Sequence, residues 1–215
     1  PAATRRVALF GRANAGKTSL LMHLTGSLQR PVNFPGTSVE SVQSSCMSGD
    51  CRLEIVDLPG VASLRPQSRD EQVAVDHLRN PETRPDLICF VLDAGKLAVE
   101  LQLLQQIRGL GLPIVVAVTK VDVAAAEGFP IDADQLQRAL GLPLVVVNGA
   151  NGTGVDALRI ELAMTSLEAI KPAASPAASP AACVTQKRAI SQSLTDKLDG
   201  FLLHPIFGPV VLVVV

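Results

Sequence analysis

Tryptophan and tyrosine are absent from this 215-residue chain, and six phenylalanines bring the aromatics to only 3%. Proteins that grip single strands stack bases on aromatic faces, so this composition excludes such a platform. Charge of one sign is lacking too: 19 Lys and Arg stand against 20 Asp and Glu, a net charge of −1. No whole-chain bias toward nucleic acid follows from that balance. The four cysteines (Cys46, Cys51, Cys89, Cys183) have no zinc-ligand spacing, and no secretory leader pattern is present. Both absences predict a reducing, cytoplasmic setting with free thiols. Cys46 and Cys51 flank Met47–Asp50, which reads as a hairpin turn, so a disulfide or metal clip is the alternative there. His23, His77 and His204 are scattered, without acidic or thiol partners at ligand spacing, which argues against an imidazole metal centre. Arg65, Arg69 and Arg84 read as a solvated face. No apolar run approaches the about 20 residues that span a bilayer.

What is present begins with Gly11-Arg12-Ala13-Asn14-Ala15-Gly16-Lys17-Thr18, between the apolar strand Val7–Phe10 and the helical run Ser19–Leu24. Gly-x-x-x-x-Gly-Lys-[Ser/Thr] in a strand–loop–helix context is the phosphate loop. Its glycines let the backbone curl around an anion, and successive N–H groups form a nest at the helix N-terminus. Lys17 is placed to reach the β- and γ-phosphates, and the Thr18 hydroxyl to ligate Mg²⁺. Backbone and side chains from Gly11 through Ser19 are the expected polyphosphate contacts, so the chain is expected to bind a nucleoside triphosphate.

Apolar runs alternate with helical patterns along the next 150 residues. Leu53–Val56, Leu87–Leu92, Ile114–Val118 and Leu144–Val147 read as further buried strands. Ser19–Leu24, Glu71–Leu78, Leu97–Ile107, Ala133–Leu140 and Val155–Leu167 carry apolar residues at three- and four-residue spacing. That alternation predicts an α/β fold: a P-loop NTPase of the small-GTPase type, its mostly parallel sheet covered by helices on both faces. Ligands bind such sheets beyond the C-terminal ends of the strands, where all the motifs fall. The predicted nucleotide-binding domain is 1–170. Pro/Ala/Ser-rich 171–189 reads as a linker. Residues 190–215 read as a short amphipathic helix (Ile190–Leu203) followed by the apolar run Pro205–Val215, expected to be a truncated membrane segment. An edge strand added to the sheet is the alternative for that run. Lys187, Arg188 and Lys197 predict a cytoplasmic N-terminal side.

Further motifs complete a nucleotide site. Asp57-Leu58-Pro59-Gly60 ends the Leu53–Val56 strand; Asp57 is the expected outer holder of Mg²⁺, and the Gly60 N–H is suited to a γ-phosphate. Thr119-Lys120-Val121-Asp122 ends the Ile114–Val118 strand. The Asp122 carboxylate can accept from N1–H and the exocyclic amine of guanine, which adenine cannot supply, and a buried carboxylate left unpaired makes that discrimination large. Lys120 can lay its stem over the base. Thr119 stands where many such sites have Asn, which predicts modestly weaker base affinity. Asn148-Gly149-Ala150 is positioned to offer a backbone N–H to the guanine O6. Asn33–Glu40, containing Gly36, Thr37 and Ser38, takes the place of a mobile loop whose hydroxyl closes on Mg²⁺. Val61 follows Gly60 where a water-orienting Gln is expected, so intrinsic hydrolysis should be slow.

With these residues assembled, the chain resembles the ferrous iron transporter B family, a cytosolic GTPase fused to a polytopic membrane domain. Leu24-Thr25-Gly26 with Asn33-Phe34-Pro35-Gly36 is similar to that family's first helix and switch loop. Asp57–Leu64 followed by Asp70–Ala74 is similar to its second switch, and Leu194–Asp199 with Leu202–Gly208 resembles the approach to its first membrane helix. The resemblance implies GTP and GDP as ligands, with Mg²⁺ at Thr18, Ser38 and Asp57, Thr37 being able to replace Ser38. It implies potassium-stimulated hydrolysis through Asn14, with Asn14, Lys17 and Gly60 as the catalytic group. It also implies Fe²⁺ as a substrate moved elsewhere in the protein, a place on the cytoplasmic face of a bacterial inner membrane, and possible homo-oligomers. The chain departs from the family at Ser38 (usually Thr), at Thr119 (usually Asn), and in having only a linker and one short helix where a helical domain is usual. A soluble Era- or TrmE-like GTPase acting on ribosome or RNA is the alternative function, and a non-catalytic GTP sensor a third.

Overall fold

The computed structural model describes residues 3–26, 30–33 and 40–167, with the side chains of 30–33 and 40 left aside. Gly36, Thr37, Ser38, Cys183, His204, the linker, the 190–203 helix and the terminal apolar run therefore lie outside the described residues.

Elements in chain order are β1 (Ala3–Phe10), α1 (Lys17–Thr25), β2 (Arg30–Asn33), β3 (Glu40–Ser48), β4 (Cys51–Asp57), α2 (Arg69–Arg79) and β5 (Leu87–Asp93). A single 3₁₀ turn (Ala94–Lys96) leads into α3 (Leu97–Arg108), followed by β6 (Ile114–Thr119), α4 (Val121–Ala126), α5 (Ala133–Leu140), β7 (Leu144–Val146) and α6 (Val155–Met164). Among the described residues one sheet forms, in the order β2-β3-β4-β1-β5-β6-β7. Strands β4, β1, β5, β6 and β7 are parallel neighbours, while β2 and β3 run antiparallel at one side.

All seven residues of β5 and all six of β6 are buried. That is the burial a strand acquires when helices cover both faces, and it explains their unbroken apolar spelling. The two-residue side-chain period divides β5 between two cores. Ile88, Phe90 and Leu92 pack with Ala74, Val75 and Leu78 of α2, Leu103 and Ile107 of α3, and Leu136 of α5. Leu87, Cys89 and Val91 face Leu20, Leu21 and Leu24 of α1 and Leu158 and Leu162 of α6.

The structure differs from the sequence expectation in several places, the strand β2 and the short helix α4 being elements not expected at all. Strand β3 is formed by Glu-Ser-Val-Gln-Ser-Ser-Cys-Met-Ser, too polar to read as a strand, because antiparallel pairing with β4 supplies its backbone bonds. Helix α6 stops at Met164 rather than Leu167: the Arg5 guanidinium donates to the carbonyls of Leu162 (3.2 Å) and Thr165 (2.6 Å), and the Thr165 hydroxyl donates to the Glu161 carbonyl. The same Arg5 belongs to a polar extension of β1 paired with β4, which hydropathy concealed. Arg84 is not part of a solvated face; it donates to the Leu110 carbonyl at 3.0 Å and ties the α2–β5 connection to the end of α3. The expected hairpin is present, with Ser48 opposite Cys51 and Cys46 opposite Leu53, so the two cysteines are not direct cross-strand partners, and both are free thiols.

Candidate nucleotide site

The loop between β1 and α1 is shaped by close approach and backbone handedness. A Cβ on Gly11 would lie 2.5 Å from the Val91 carbonyl oxygen, so only glycine lets the chain pass over β5. Gly16 caps α1 at φ +96°, and Asn14 is left-handed at +63°. Such positions suit Gly and Asn. Helix α1 begins with no side-chain cap and no acidic residue in its first turn. Its leading N–H groups are thus open to an anion, with the positive end of the helix dipole behind them.

Lys17, in that first turn, is only 7% exposed. Its ammonium donates to the carbonyls of Arg12 (3.0 Å) and Gly11 (3.3 Å). Burial lowers its pKa, opposed by the charges of Asp57 and Glu100. A cation at a helix N-terminus opposes the dipole and becomes favourable when an anion arrives.

Across the cleft, the Thr18 hydroxyl donates to Asp57 Oδ2 at 2.6 Å, and Asp57 Oδ1 is buried with no hydrogen-bond partner. Burial raises the Asp57 pKa against the pull of Thr18 and Lys17. An orphaned buried carboxylate oxygen beside a hydroxyl is a hard-oxygen donor set that fits Mg²⁺. The cleft, about 560 Å³, is lined by Ala13, Asn14, Lys17, Thr18, Asp57 and Gly60, with Ser41 and Asp70 at its margins. Pro59 and the Leu58 backbone complete that wall, but the Leu58 and Val61 side chains are buried in the core. Val61 is thus an anchor for the turn, its N–H donating to the Gly11 carbonyl at 3.1 Å. Gly60 lies so tightly on the loop that a Cβ there would be 2.6 Å from Ala13 N and Cα.

The base-reading motif reaches the same loop from β6. Lys120, left-handed at φ +58°, donates to the Asn14 carbonyl (2.6 Å) and to Asp93 Oδ2 (2.7 Å). Asp93, at the end of β5, is a site residue that sequence reading missed; an acidic residue closing an otherwise apolar strand was the available signal. Thr119 is 2% exposed. Its hydroxyl donates to the Ala15 carbonyl at 2.8 Å, with the Leu92 carbonyl at 3.1 Å. Asp122 accepts from the Asn148 amide at 3.3 Å. Asn148 in turn accepts from the N–H groups of Ala150 (2.8 Å) and Asn151 (3.3 Å). Of the backbone N–H groups in Asn148-Gly149-Ala150, that of Ala150 is therefore engaged by the Asn148 side chain. Gly149 packs near Ser19, which is exposed, and its carbonyl lies 3.0 Å from His23 Nε2. Four segments distant in sequence thus meet beyond the C-terminal ends of β1, β4, β6 and β7.

Comparison with known proteins decides the family. Residues 5–162 match the profile described as ferrous iron transport protein B. The chain belongs to the ferrous iron transport protein B family. A relative from Porphyromonas gingivalis, an Fe(2+) transport protein A/Fe(2+) transporter FeoB fusion protein, is 38% identical over 153 residues, 71% of this chain and 18% of its own length. Among solved structures, the cytosolic domain of L. pneumophila FeoB is 37% identical with a TM-score of 0.73, covering 78% of this chain and 72% of that one. A mutant of S. thermophilus NFeoB bound to GDP is 38% identical with a TM-score of 0.68, covering 75% and 61%. The chain spans about a fifth of the length of the FeoB transporters it matches. Its mostly parallel α/β sheet is the fold of the FeoB cytosolic structures.

Proposed function

We propose that this chain binds GTP and GDP over the Gly11–Ser19 loop, hydrolyses GTP, and serves as the cytoplasmic GTPase part of a ferrous iron transporter. The observation that carries the reading is the pairing of Thr18 with Asp57, one oxygen of which is buried and unpartnered, opposite the uncapped start of α1. The GDP held by the S. thermophilus relative supports guanine nucleotide as the ligand, and Asp122 is the carboxylate suited to it.

Thr18 and Asp57, with Ser38 from the first switch loop, would hold Mg²⁺. The ion would supply charge neutralisation on the polyphosphate. Lys17 leaves the Gly11 and Arg12 carbonyls for the β- and γ-phosphates, and the α1 N–H groups take the remaining oxygens. The Gly60 N–H donates to the γ-phosphate. Asn14, exposed at the lip of the cleft, is the residue to meet a potassium ion. Val61 is in the core and cannot orient water, so hydrolysis without help is slow. Residues 171–189 act as a linker, and 190–215 lead toward a membrane; among the described residues no helix is long and apolar enough to cross one. Transport of Fe²⁺ itself belongs to the remainder of the transporter.

Fluorescent-GDP binding and phosphate release, each with Na⁺ or K⁺, test this reading. Lys17→Ala should abolish nucleotide binding. Asn14→Ala should keep binding and lose the K⁺ stimulation. Wild-type affinity in Lys17→Ala would sink the site assignment, and equal rates in Na⁺ and K⁺ would sink the potassium role alone.

A further inference from the structure

Glu100, in the first turn of α3, is 0% exposed, and among the described residues neither carboxylate oxygen has a well-aligned hydrogen-bond partner, the Asp93 backbone being the one donor it feels. A buried acid in that condition is costly unless another conformation gives it a partner. Arg12 of the phosphate loop is the cation whose charge Glu100 feels most. Its guanidinium donates to the Ala62 carbonyl at 3.1 Å, latching the loop to the second switch, and its charge is felt by both Glu100 and Glu71. The latch is under steric threat. Gly60, two residues before Ala62, lies against Ala13 with no room for an added carbon.

Resting on the GTP reading above, we propose that Arg12 has two alternative acceptors, the Ala62 carbonyl without a γ-phosphate and the Glu100 carboxylate with one. A third phosphate displaces Gly60 and carries Ala62 out of reach. Arg12 then turns to Glu100, which trades an orphaned acid for an ion pair and links the loaded loop to α3. Glu100 is thus a positioning residue that favours the triphosphate state, acting through Arg12 without touching nucleotide.

The exchange has a proton signature. Burial pushes Glu100 up to about 7, with the Asp93 charge adding to the rise and Arg12, the Asp93 backbone N–H and Lys17 opposing it. The charged groups facing it are Arg12 from the loop, Lys17 from α1 and Asp93 from β5, the last paired with Lys120. Pairing with Arg12 lowers the Glu100 pKa in the triphosphate state, so triphosphate binding releases a proton and gains on diphosphate binding as pH rises through about 7.

The test measures affinities of the full chain for fluorescent GDP and a non-hydrolysable GTP analogue in Mg²⁺, from about pH 6 to about 8.5. Wild type is compared with Glu100→Gln, Arg12→Gln and the double variant. Each single change should lower the triphosphate-to-diphosphate affinity ratio by on the order of tenfold. Each should also flatten the part of the pH profile that wild type shows beyond the phosphates' own titration. The double variant should be no worse than either single one. A wild-type ratio and profile in Glu100→Gln, or additive losses in the double variant, overturn the proposal. Arg12→Gln alters a partly exposed side chain, so the test stands even where the core substitution fails to fold. A wild-type chain that binds neither nucleotide overturns the phosphate-site reading and this proposal with it; nucleotide binding with an unchanged ratio overturns this proposal alone.

Discussion

Replacing Thr119 by valine keeps nearly the same shape and deletes one hydroxyl. That hydroxyl is buried and bridges the end of β6 to the Ala15 carbonyl inside the phosphate loop at 2.8 Å. Removing a buried donor leaves its acceptor unsatisfied, which costs about 1–3 kcal/mol. Taking about 2 kcal/mol and a chain of this size, the midpoint of thermal unfolding should fall by about 4–8 °C. The loss concentrates at the loop, so GDP affinity should fall as well, while Thr119→Ser, which keeps the donor, should retain most of both. Thermal unfolding followed by circular dichroism and titration with fluorescent GDP provide the two readouts. A Thr119→Val chain that melts within about 1 °C of wild type would refute the bridging role. So would a serine variant damaged as badly as the valine one.

Asp122→Asn should move preference from guanine toward xanthine nucleotides in a competition assay, because the amide replaces an acceptor with a donor; unchanged selectivity would remove the case for guanine. Glu71 accepts from the N–H groups of Ala62 (2.9 Å) and Gln67 (2.7 Å), and these backbone bonds hold its pKa below the ordinary 4.5. A depressed carboxyl contributes order above its unfolded pKa and loses it as pH falls through the folded one. The protection factors of the Ala62 and Gln67 amides, measured against unstructured amides at the same pH, should therefore persist at neutral pH and fall only once pH drops below the ordinary carboxyl range, while Glu71→Gln should show low protection throughout. Undiminished protection factors at both amides in Glu71→Gln would count against that clamp.

The central sheet was readable because β5 and β6 are buried on both sides, leaving Val, Ile, Leu and Phe almost no alternative. The phosphate loop was readable for a different reason: anion geometry demands glycine, lysine and a hydroxyl at fixed intervals. Strand β3 was hidden because its stability lies in the hairpin with β4, which hydropathy does not record. Thr119 illustrates a deeper limit. The motif placed it correctly in the chain, yet only the packed structure shows the hydroxyl turned toward Ala15. Arg12, Asp93 and Glu100 form a charged understructure of the site assembled from the phosphate loop, the end of β5 and the start of α3, and no local pattern announces such a convergence.

Strand β2 contains Pro31, which has no amide hydrogen to offer, and the opposite rim of the sheet is the three-residue β7. A proline at one margin and a stub at the other give a newcomer chain little to zip onto. Neighbouring copies of the domain are thereby discouraged from fusing edge to edge into fibres. Among the described residues, helix faces and loop tips are what this domain leaves open to a partner.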